Sequence, residues 1–434
     1  MTKSNLIKNV DIISMVDDQL LKTKDVLIEG TQIKTICNTG TQNLQADETI
    51  DATGQFLMPG LFDMHVHVHD EPYMPLFLMN GITGIRDLGS VTDIFKRRDN
   101  IASGKELGPR LFVSGKILEG DPPTWGDAFY VIKTKKQALE TIHWLKNHKT
   151  DQVKVYDSLP AELYKTSIKE AKKQGLKVAG HLNQYMPAAE TINLGLDSVE
   201  HFGITLGWLI GDITRELSKI PGAEDFNVIT KYKINDKKLH DAAEAFKTNN
   251  AYLCPTLILE KQLSQYTEYK ELLKQVDTRY FDPNSQYWIP KKANGEEGLD
   301  DRNKLFYDNI KSLREGTKGV LKTLKKSATI LAGTDTPNPF VMPGFSLHQE
   351  LELLVEAGLT NYEALQAATT NATKYLEVSD ELGTVETGKT ANLILLSKNP
   401  LKDIKNSTTI QTVILNGQPH SQTSLAQRAL LTNK

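Results

Sequence analysis

The segment Pro59–His67 places two histidines two residues apart, directly after a short apolar run (PGLFDMHVH). Side chains two apart on a strand lie on one face. His65 and His67 can therefore both point inward, and two imidazoles so placed can bind one metal ion. The Met-Pro-Gly turn and the apolar run favour this interpretation over a solvated loop. His69 continues the alternation but lies beyond the predicted strand end, where a loop position is the alternative.

Three further candidates each stand at the end of a predicted strand. His181 ends LKVAGH, His201 ends DSVEH and Asp335 ends ATILAGTD. A lone histidine is usually an ordinary hydrogen-bonded residue, but four of the chain's ten histidines fall at such strand ends. Barrel enzymes hold their chemistry at the carboxyl ends of their strands. Neutral imidazole with carboxylate is also the ligand set of hydrolytic zinc sites.

Lys154 lies between Val153 and Val155 in the predicted strand QVKVYD. An inward-facing lysine among valines is unfavourable unless its charge is neutralised or paired. Reaction of the amine with CO₂ would give an anionic, metal-bridging carboxylysine. The alternative is an ordinary lysine that points between strand and helix, and the residues alone leave both open.

The elements that must position these residues alternate along the middle of the chain. Three segments have apolar residues at helical spacing: KKQALETIHWLKNH, PAELYKTSIKEAKKQG and KKLHDAAEAFKTNN. Strands alternating with helices predict βαβ units and a parallel sheet, and eight strand candidates favour a closed (β/α)₈ barrel over an open sheet. The eight candidates are GLFDMHV, GITGIRDLG, RLFVSGK, DQVKVYD, LKVAGHL, DSVEHF, AYLCPTL and SATILAGTD.

The two ends of the chain carry a different pattern. Short apolar bursts separated by turns (LIKNVDIIS, DVLIEG, QIKTICN) predict a small antiparallel β unit, and similar bursts return in NLILLS and TTIQTVILNGQ. Because chain termini often lie close together, residues 1–57 and 385–434 are expected to complete one β-sandwich around a barrel of residues 58–384. Residues from about 260 to 324 are too long for a simple connection and predict a helical insertion near the site.

Composition limits the classes of function. The chain has 434 residues, 39% of them hydrophobic, and a net charge of −3, so neither nucleic acid nor an anionic membrane is an expected partner. Its two cysteines, Cys37 and Cys254, give neither a disulfide framework nor a zinc spacing. The start lacks the apolar run of a signal peptide, and no run reaches transmembrane length. A cytoplasmic enzyme with a small-molecule substrate is expected.

Taken together, these motifs resemble the amidohydrolase superfamily, in particular its imidazolonepropionase-like and prolidase-like (Xaa-Pro dipeptidase-like) branch. The resemblance rests on PGLFDMHVH, GITGIRDLG, VKVY, the spaced GH and EH, AGTD, SLHQELELLVEAGLTNYEALQAATTNATKYL and LGTVETGKTANLILL. It covers nearly the whole chain except the insertion. The last of these motifs is similar to the family's return from the barrel to the sandwich domain.

The resemblance implies a metal-dependent hydrolase with roles at matching positions. His65, His67 and Asp335 would bind the more buried metal, Lys154 as carboxylysine would bridge two metals, and His181 and His201 would bind the second. The segment Leu182-Asn183-Gln184 departs from prolidase-like members, which often carry another histidine there, and imidazolonepropionase-like members can work with one metal. Zinc is the default, with Mn, Fe, Co or Ni as alternatives.

The ligands also imply a mechanism. A divalent metal lowers the pKa of its water towards ~7 and polarises the scissile carbonyl. Asp335 would accept the proton of that water and pass it to the leaving nitrogen.

Several weaker candidates have ordinary structural alternatives. Tyr156 could contact substrate, with a plain rim tyrosine as the alternative. Arg86 and Asp87, at the end of the second predicted strand, could contact substrate or support the ligands from behind, with an internal ion pair as the alternative. His348, and beside it Glu350, could contact substrate or support the site, or cap a helix. Cys254 is expected in the core, and Trp125 and Trp208 could wall the pocket.

The expected reaction is cleavage of an amide-like C–N bond in a small peptide or N-acyl amino acid. Alternatives are cyclic-amide hydrolysis, esterase or lactonase activity and, in another class, a non-catalytic metal-binding barrel. Self-association is possible, although no surface patch identifies it.

Overall fold

The computed structural model describes residues 3–69, 73–90, 93–124, 129–221, 224, 227–281, 288–292 and 295–431. Trp125, a candidate wall of the pocket, lies outside these ranges. Among the described residues, no helix combines the length and the apolar character needed to cross a membrane.

The N-terminal segment forms five strands. β2 pairs antiparallel with β1 and with β3, as predicted. β1 also pairs in parallel with β4 and β5, two strands outside the three predicted ones, so the whole unit is mixed. After β3 the chain crosses over instead of turning back in a hairpin, and a crossover leaves strands parallel. The strands are β1 (Ser4–Ile13), β2 (Leu20–Glu29), β3 (Gln32–Asn38), β4 (Glu48–Asp51) and β5 (Phe56–Pro59).

Short strands and helices alternate through the middle of the chain, and each of the eight predicted strands is present. The sequence analysis missed β9, β10 and the hairpin β14–β15. One ladder has the order β6-β7-β8 and the other β10-β9-β11-β12-β13-β16-β17. In both, the ladder pairings are parallel. The strands are β6 (Leu61–Val66), β7 (Ile82–Asp87), β8 (Arg110–Val113), β9 (Ile117–Glu119), β10 (Phe129–Val131), β11 (Gln152–Val155), β12 (Lys177–Gly180), β13 (Ser198–Glu200), β14 (Gly211–Leu217), β15 (Asn227–Ile234), β16 (Tyr252–Cys254) and β17 (Thr329–Ile330).

Backbone hydrogen bonds join the two ladders at two places. On one side, Asp151 N donates to the carbonyl of Val113 at 2.9 Å, which links the end of β8 to the start of β11. On the other side, Met64 N donates to Ala332 O at 2.9 Å, and Asp335 N donates to His65 O at 2.7 Å. The segment after β17 therefore lies beside β6, and the strand ends that carry the predicted ligands face the same side.

The three helices predicted from periodicity are confirmed as α3, α4 and α7. In α3, Thr134 caps the first turn by accepting from Gln137 N at 3.2 Å. Its buried residues Ala138, Ile142 and Leu145 share one face at helical spacing. The helices are α1 (Met74–Met79), α2 (Ile94–Ala102), α3 (Lys135–Asn147), α4 (Ala161–Lys173), α5 (Ala188–Asn193), α6 (Trp208–Ile210), α7 (Asp236–Asn249), α8 (Leu257–Ser264), α9 (Tyr269–Leu273), α10 (Asp301–Gly316), α11 (Val320–Leu324), α12 (Phe345–Glu356), α13 (Asn361–Ala367), α14 (Thr370–Tyr375) and α15 (Gln422–Leu431).

Two excursions interrupt the alternation of strands and helices. The hairpin β14–β15 lies between β13 and α7, and the helices α8 to α11 lie between β16 and β17. They contact each other, because Asn309 of α10 accepts from Ile229 N and donates to Asn227 O, both at 2.8 Å. The hairpin was not predicted because most of its side chains are exposed. Its sequence therefore lacks the alternation of apolar and polar residues that indicates a strand.

The C-terminal strands extend the N-terminal sheet. The order is β20-β19-β18-β5-β1-β2-β3, and β4 pairs with β1. Leu395 faces Leu57 across the β18–β5 pair, and Ile12 and Ile414 share the same buried cluster. The predicted meeting of the two distant β segments in one unit is therefore confirmed. The strands are β18 (Leu393–Leu396), β19 (Ile410–Leu415) and β20 (Gln418–Ser421).

Candidate metal centre

The six predicted ligands lie at the carboxyl ends of the parallel strands. In the tightest group, one ligand atom each of His65, His67 and Asp335 lies within 4.8 Å of the others. Asp335 Oδ1 is 3.2 Å from His65 Nε2 and 2.9 Å from His67 Nε2. The six are His65 in β6, His67 just after it, Lys154 in β11, His181 after β12, His201 after β13 and Asp335 after β17.

His201 and His181 continue this group along the strand ends. The ring of His201 lies 4.7 Å from that of His65 and 4.7 Å from that of His181, between centroids. His201 Nε2 is 4.0 Å from Asp335 Oδ2, the other oxygen of the carboxylate. The histidines thus form a row with Asp335 beside its middle.

The contacts at Nδ1 fix how two of these histidines face the carboxylate. His67 Nδ1 donates to the carbonyl of Gly89 at 2.8 Å, and His65 Nδ1 lies 2.8 Å from the carboxylate of Glu200. A neutral imidazole has one N–H, so a proton at Nδ1 leaves the Nε2 lone pair directed at Asp335 Oδ1.

Three acceptors this close together are stable only with a cation between them. Within the described part of the chain, His65 Nε2 and Asp335 Oδ1 are buried without a hydrogen-bond partner. A proton on His67 can supply part of this positive charge. Burial acts to lower the pKa of His67, but the contact with Asp335 outweighs it and raises the pKa. The donor set of two imidazoles and a carboxylate fits a divalent metal.

Lys154 is buried, and its Nζ has no hydrogen-bond partner among the described residues. Burial lowers its pKa to about 8, against the attraction of Glu200 and Asp335. Its strand neighbours Val153 and Val155 belong to the same apolar cluster as Ile142 of α3 and Ile168 of α4. Because side chains alternate along a strand, Lys154 lies on the opposite face of β11, away from that cluster. The interpretation that it points between strand and helix is not supported.

Burial keeps the remaining imidazoles neutral. It holds the pKa of His65 and of His181 well below the ordinary value, and the charge of Lys154 is the next cause in both. Burial likewise lowers the pKa of His201, although Asp335 opposes it. Neutral imidazole is the form that binds a metal.

Backbone strain marks the same positions. His201 and Asp335 have positive φ values of 64° and 66°. Thr256 also has a positive φ, 46°, and its hydroxyl lies 2.7 Å from His201 Nδ1. Non-glycine residues in this region cost about 1–3 kcal/mol each and cluster at functional sites. The fold therefore holds two proposed ligands in backbone conformations that local preference alone would not select.

Tyr156 stands at the rim of the site, half-buried beside His181. Their ring centroids are 3.9 Å apart, with Phe129 on the other side at 5.2 Å. Asp157, which the sequence analysis did not single out, lies 2.8 Å from His181 Nδ1 through Oδ2. Such carboxylate contacts orient a metal-binding imidazole. Tyr156 is placed where it can touch a substrate.

Arg86 is fully buried and lies behind His65, so the prediction that it contacts substrate is not supported. Its Nη2 donates to both carboxylate oxygens of Glu200, at 2.9 and 3.0 Å. The internal ion pair that was the alternative is therefore present, with Glu200 as the partner, whereas Asp87 Oδ1 accepts from Val68 N at 2.9 Å. The sequence signal for Glu200 was an acid within an apolar strand, one residue before His201.

His348 is not brought to the cluster, and its contacts do not support the expected contact with substrate. It lies in α12 with both ring nitrogens in contact elsewhere: Nε2 donates to Asn80 O at 3.1 Å, and Nδ1 is 2.9 Å from Ser407 Oγ. Asn80 follows α1 and precedes β7, at the opposite end of that strand from the ligands. Glu350 accepts from Ile258 N in the first turn of α8 at 2.7 Å, as expected for helix capping.

The remaining candidates make contacts that hold the fold together. Cys254 is fully buried at the end of β16, as expected for a core residue. His69 lies beyond β6, and its backbone carbonyl accepts from Arg97 at 2.9 Å. Arg215 stacks over the ring of Trp208 at 4.1 Å.

We expect His348 to make stability depend on pH. Burial lowers its pKa to about 4 from an ordinary 6.5, so the unfolded chain binds a proton that the folded chain excludes. The contribution of His348 to the free energy of unfolding should be complete above about pH 6.5 and fall by roughly 3 kcal/mol as the pH approaches 4. Urea unfolding across this range should show a shallower fall in His348→Gln. Equal pH dependence in both proteins would contradict the assignment.

The chain is similar to known proteins over most of its length. The amidohydrolase family model matches residues 56–419. A 5-methylthioadenosine/S-adenosylhomocysteine deaminase of Caldanaerobacter subterraneus is 23% identical over 451 residues, which cover 95% of this chain and 92% of that protein.

Two solved structures share the fold. One is a Xaa-Pro dipeptidase with bound methionine (TM-score 0.71, 20% identity, 96% of this chain and 100% of that one). The other is the Aspergillus niger ochratoxinase (TM-score 0.66, 18% identity, 97% and 96%). The family match spans most of the sequence, and the chain therefore belongs to the amidohydrolase family, whose members are hydrolases acting on carbon–nitrogen bonds.

Proposed function

We propose that this chain is a metal-dependent hydrolase that cleaves an amide-like C–N bond in a small peptide or an N-acyl amino acid. The observation that carries the proposal is the convergence of His65 Nε2, His67 Nε2 and Asp335 Oδ1 at 2.9–3.2 Å, with the first and last lacking any other described partner. That arrangement needs a cation and supplies a carboxylate beside it.

We also infer the architecture that holds the site. The eight parallel strands would form a closed (β/α)₈ barrel over residues 58–384, with residues of about 260–324 as a helical insertion. Residues 1–57 and 385–434 would form the β-sandwich domain. The hydrogen bonds between the two ladders and the shared terminal sheet support this division.

The proposed ligand set has two halves. His65, His67 and Asp335 would hold the more buried metal, and His181 and His201 the second, with zinc as the default and Mn, Fe, Co or Ni as alternatives. Lys154, whose charge acts on the histidines of both halves, would bridge them as carboxylysine. In that step the neutral amine bonds to the carbon of CO₂ and releases one proton, giving an anionic carbamate. A pKa of about 8 makes the neutral amine accessible.

Divalent metal held there would supply Lewis acidity that polarises the scissile carbonyl and acidifies a water. Asp335 is the residue placed to manage the proton: Oδ1 faces His65 and His67, and Oδ2 lies on the side of His201. It would accept the proton of the attacking water and deliver it to the leaving nitrogen, because an amide anion is a poor leaving group. Tyr156, at the rim beside His181, would contact the substrate.

The substrate class follows from the fold neighbours and not from the ligands, since one barrel serves many chemistries. The dipeptidase and ochratoxinase neighbours support an amide substrate. The deaminase relative supports a second candidate, hydrolytic loss of ammonia from a purine. Hydrolysis of cyclic amides, esters and lactones requires the same activated water, so these compounds belong in the substrate screen. The alternative that is not an enzyme is a non-catalytic metal-binding barrel.

We further propose a cytoplasmic location, which the two free cysteines favour, and a small molecule as the partner. Neither nucleic acid nor membrane is proposed as a partner, and self-association is left to measurement.

A substrate screen tests the proposal. Metal-loaded protein should hydrolyse Xaa-Pro dipeptides or N-acyl amino acids faster than the cyclic amides, esters, lactones and adenosine-type substrates in the same panel, and chelation should abolish the activity. Turnover of the purines alone would replace the amide assignment with deamination. No turnover of any of these compounds by fully metal-loaded protein would favour the binding barrel.

A further inference from the structure

The ion pair of Glu200 and Arg86 lies behind the proposed ligands. Glu200 in β13, Arg86 in β7 and His65 in β6 are all fully buried. Two charges at such depth are unfavourable for stability alone, because their desolvation offsets most of their attraction. We therefore expect this buried ion pair to have a role besides stabilising the fold.

The donors around Glu200 define what it can do to His65. Arg86 Nη2 donates to both of its oxygens, and Ser198 Oγ donates to Oε1 at 2.5 Å. A guanidinium has only donors, so the carboxylate stays turned towards it as an acceptor. Oε2 is then left to accept one further hydrogen bond, and His65 Nδ1 stands 2.8 Å away.

Arg86 is itself held from two sides. Its Nε donates to the carbonyl of Met64, the residue before His65, and its guanidinium lies 4.7 Å over the ring of Tyr375. The hydroxyl of Tyr375 donates to Gln152 Oε1 at 2.9 Å. The carboxylate therefore meets a guanidinium whose position is fixed by the same strand that carries the ligand.

We propose that Glu200, held by Arg86, is the positioning residue of the metal centre: it keeps the proton of His65 on Nδ1 and so directs the Nε2 lone pair at the cation beside Asp335. This inference rests on the proposed metal site. Without the carboxylate, the other tautomer would place an N–H where a metal must bind, 3.2 Å from Asp335 Oδ1. Arg86 balances the charge of Glu200, so the arrangement directs His65 without adding net negative charge.

The direct test uses Glu200→Gln, which preserves size. Its amide oxygen would turn to Arg86, and its NH₂ would face His65 Nδ1 as a donor, which reverses the tautomer. We expect Co²⁺ alone, added to metal-stripped protein, to bind about 10–100-fold more weakly than to wild type, with a changed visible absorption spectrum. Glu350→Gln is the matched control, because it also removes a buried carboxylate but one without contact to a proposed ligand. It should bind Co²⁺ as wild type does.

A second measurement needs no folded variant of Glu200. Long-range ¹H–¹⁵N spectra of wild type labelled with ¹⁵N-histidine should show that the proton of His65 is on Nδ1. The His65 signal is assigned by its loss in the spectrum of His65→Gln. A proton on Nε2, or wild-type Co²⁺ affinity and spectrum in Glu200→Gln, would overturn the inference and leave the metal site standing. Failure of wild type to bind Co²⁺ would instead overturn the proposed function, and this inference with it.

Discussion

Asp335→Asn should lower kcat/KM for amide hydrolysis by at least about 10³-fold, because it removes both the negative charge beside the cation and the group that carries the proton. The amide retains the shape of the carboxylate, so the loss should not come from unfolding. Steady-state kinetics on metal-loaded protein, with circular dichroism to confirm the fold, measure the effect.

Asp241→Asn is the control for this change. Asp241 lies on α7 in a surface ion pair with Lys237, and such pairs contribute little to stability, so activity should be unchanged. A residual activity of Asp335→Asn within about tenfold of wild type would place the proton-carrying group elsewhere.

Lys154→Ala should produce the second largest loss, about 10²-fold or more in kcat, because it deletes a group that would hold anionic charge between the two metals. The variant should still fold, since it removes a buried amine that has no described partner and whose burial is unfavourable. After growth with ¹³C-bicarbonate, wild type should show a carbamate carbon signal that Lys154→Ala lacks.

Lys237→Ala removes an exposed amine and should keep both the signal and the activity. If wild type shows no carbamate signal, or if Lys154→Ala retains full activity, Lys154 does not serve as a bridging carboxylysine. The site would then be a single-metal centre of His65, His67 and Asp335, and cyclic amides would lead the substrate screen.

The ligand positions were predictable because two local rules determine them. Alternation along a strand places His65 and His67 on one face, and parallel strands bring His181, His201 and Asp335 to one edge. Both rules use only neighbouring residues and the direction of strands, so the sequence contains the information. The structure brings His65, His67, His201 and Asp335 close together, and the ring of His181 lies 4.7 Å from that of His201.

The partners of the ligands were harder to predict because they depend on contacts across the fold. An internal ion pair was one of the expectations for Arg86, but its partner Glu200 lies 114 residues away in the sequence and could not be named in advance. His348 stood in a family-like segment near Asp335, but α12 turns it towards Asn80 and Ser407. Sequence distance from a proposed ligand is a poor guide to which face of a helix meets the site.

Strain was also invisible in the sequence. His201 and Asp335 adopt positive φ, which nothing in their residue types favours strongly enough to predict. The conformation follows from the hydrogen bonds that tie the segment after β17 to β6, such as Asp335 N to His65 O at 2.7 Å. These bonds place the carboxylate over the histidines.

The most direct test of the central claim is the metal content of the purified protein together with reactivation of metal-free protein. Elemental analysis by mass spectrometry should find about two divalent ions per chain. Removal of the ions should abolish amide hydrolysis, and activity should return in proportion to the metal added back. Full hydrolytic activity in protein shown to be metal-free, or no binding of divalent metal at all, would contradict the account.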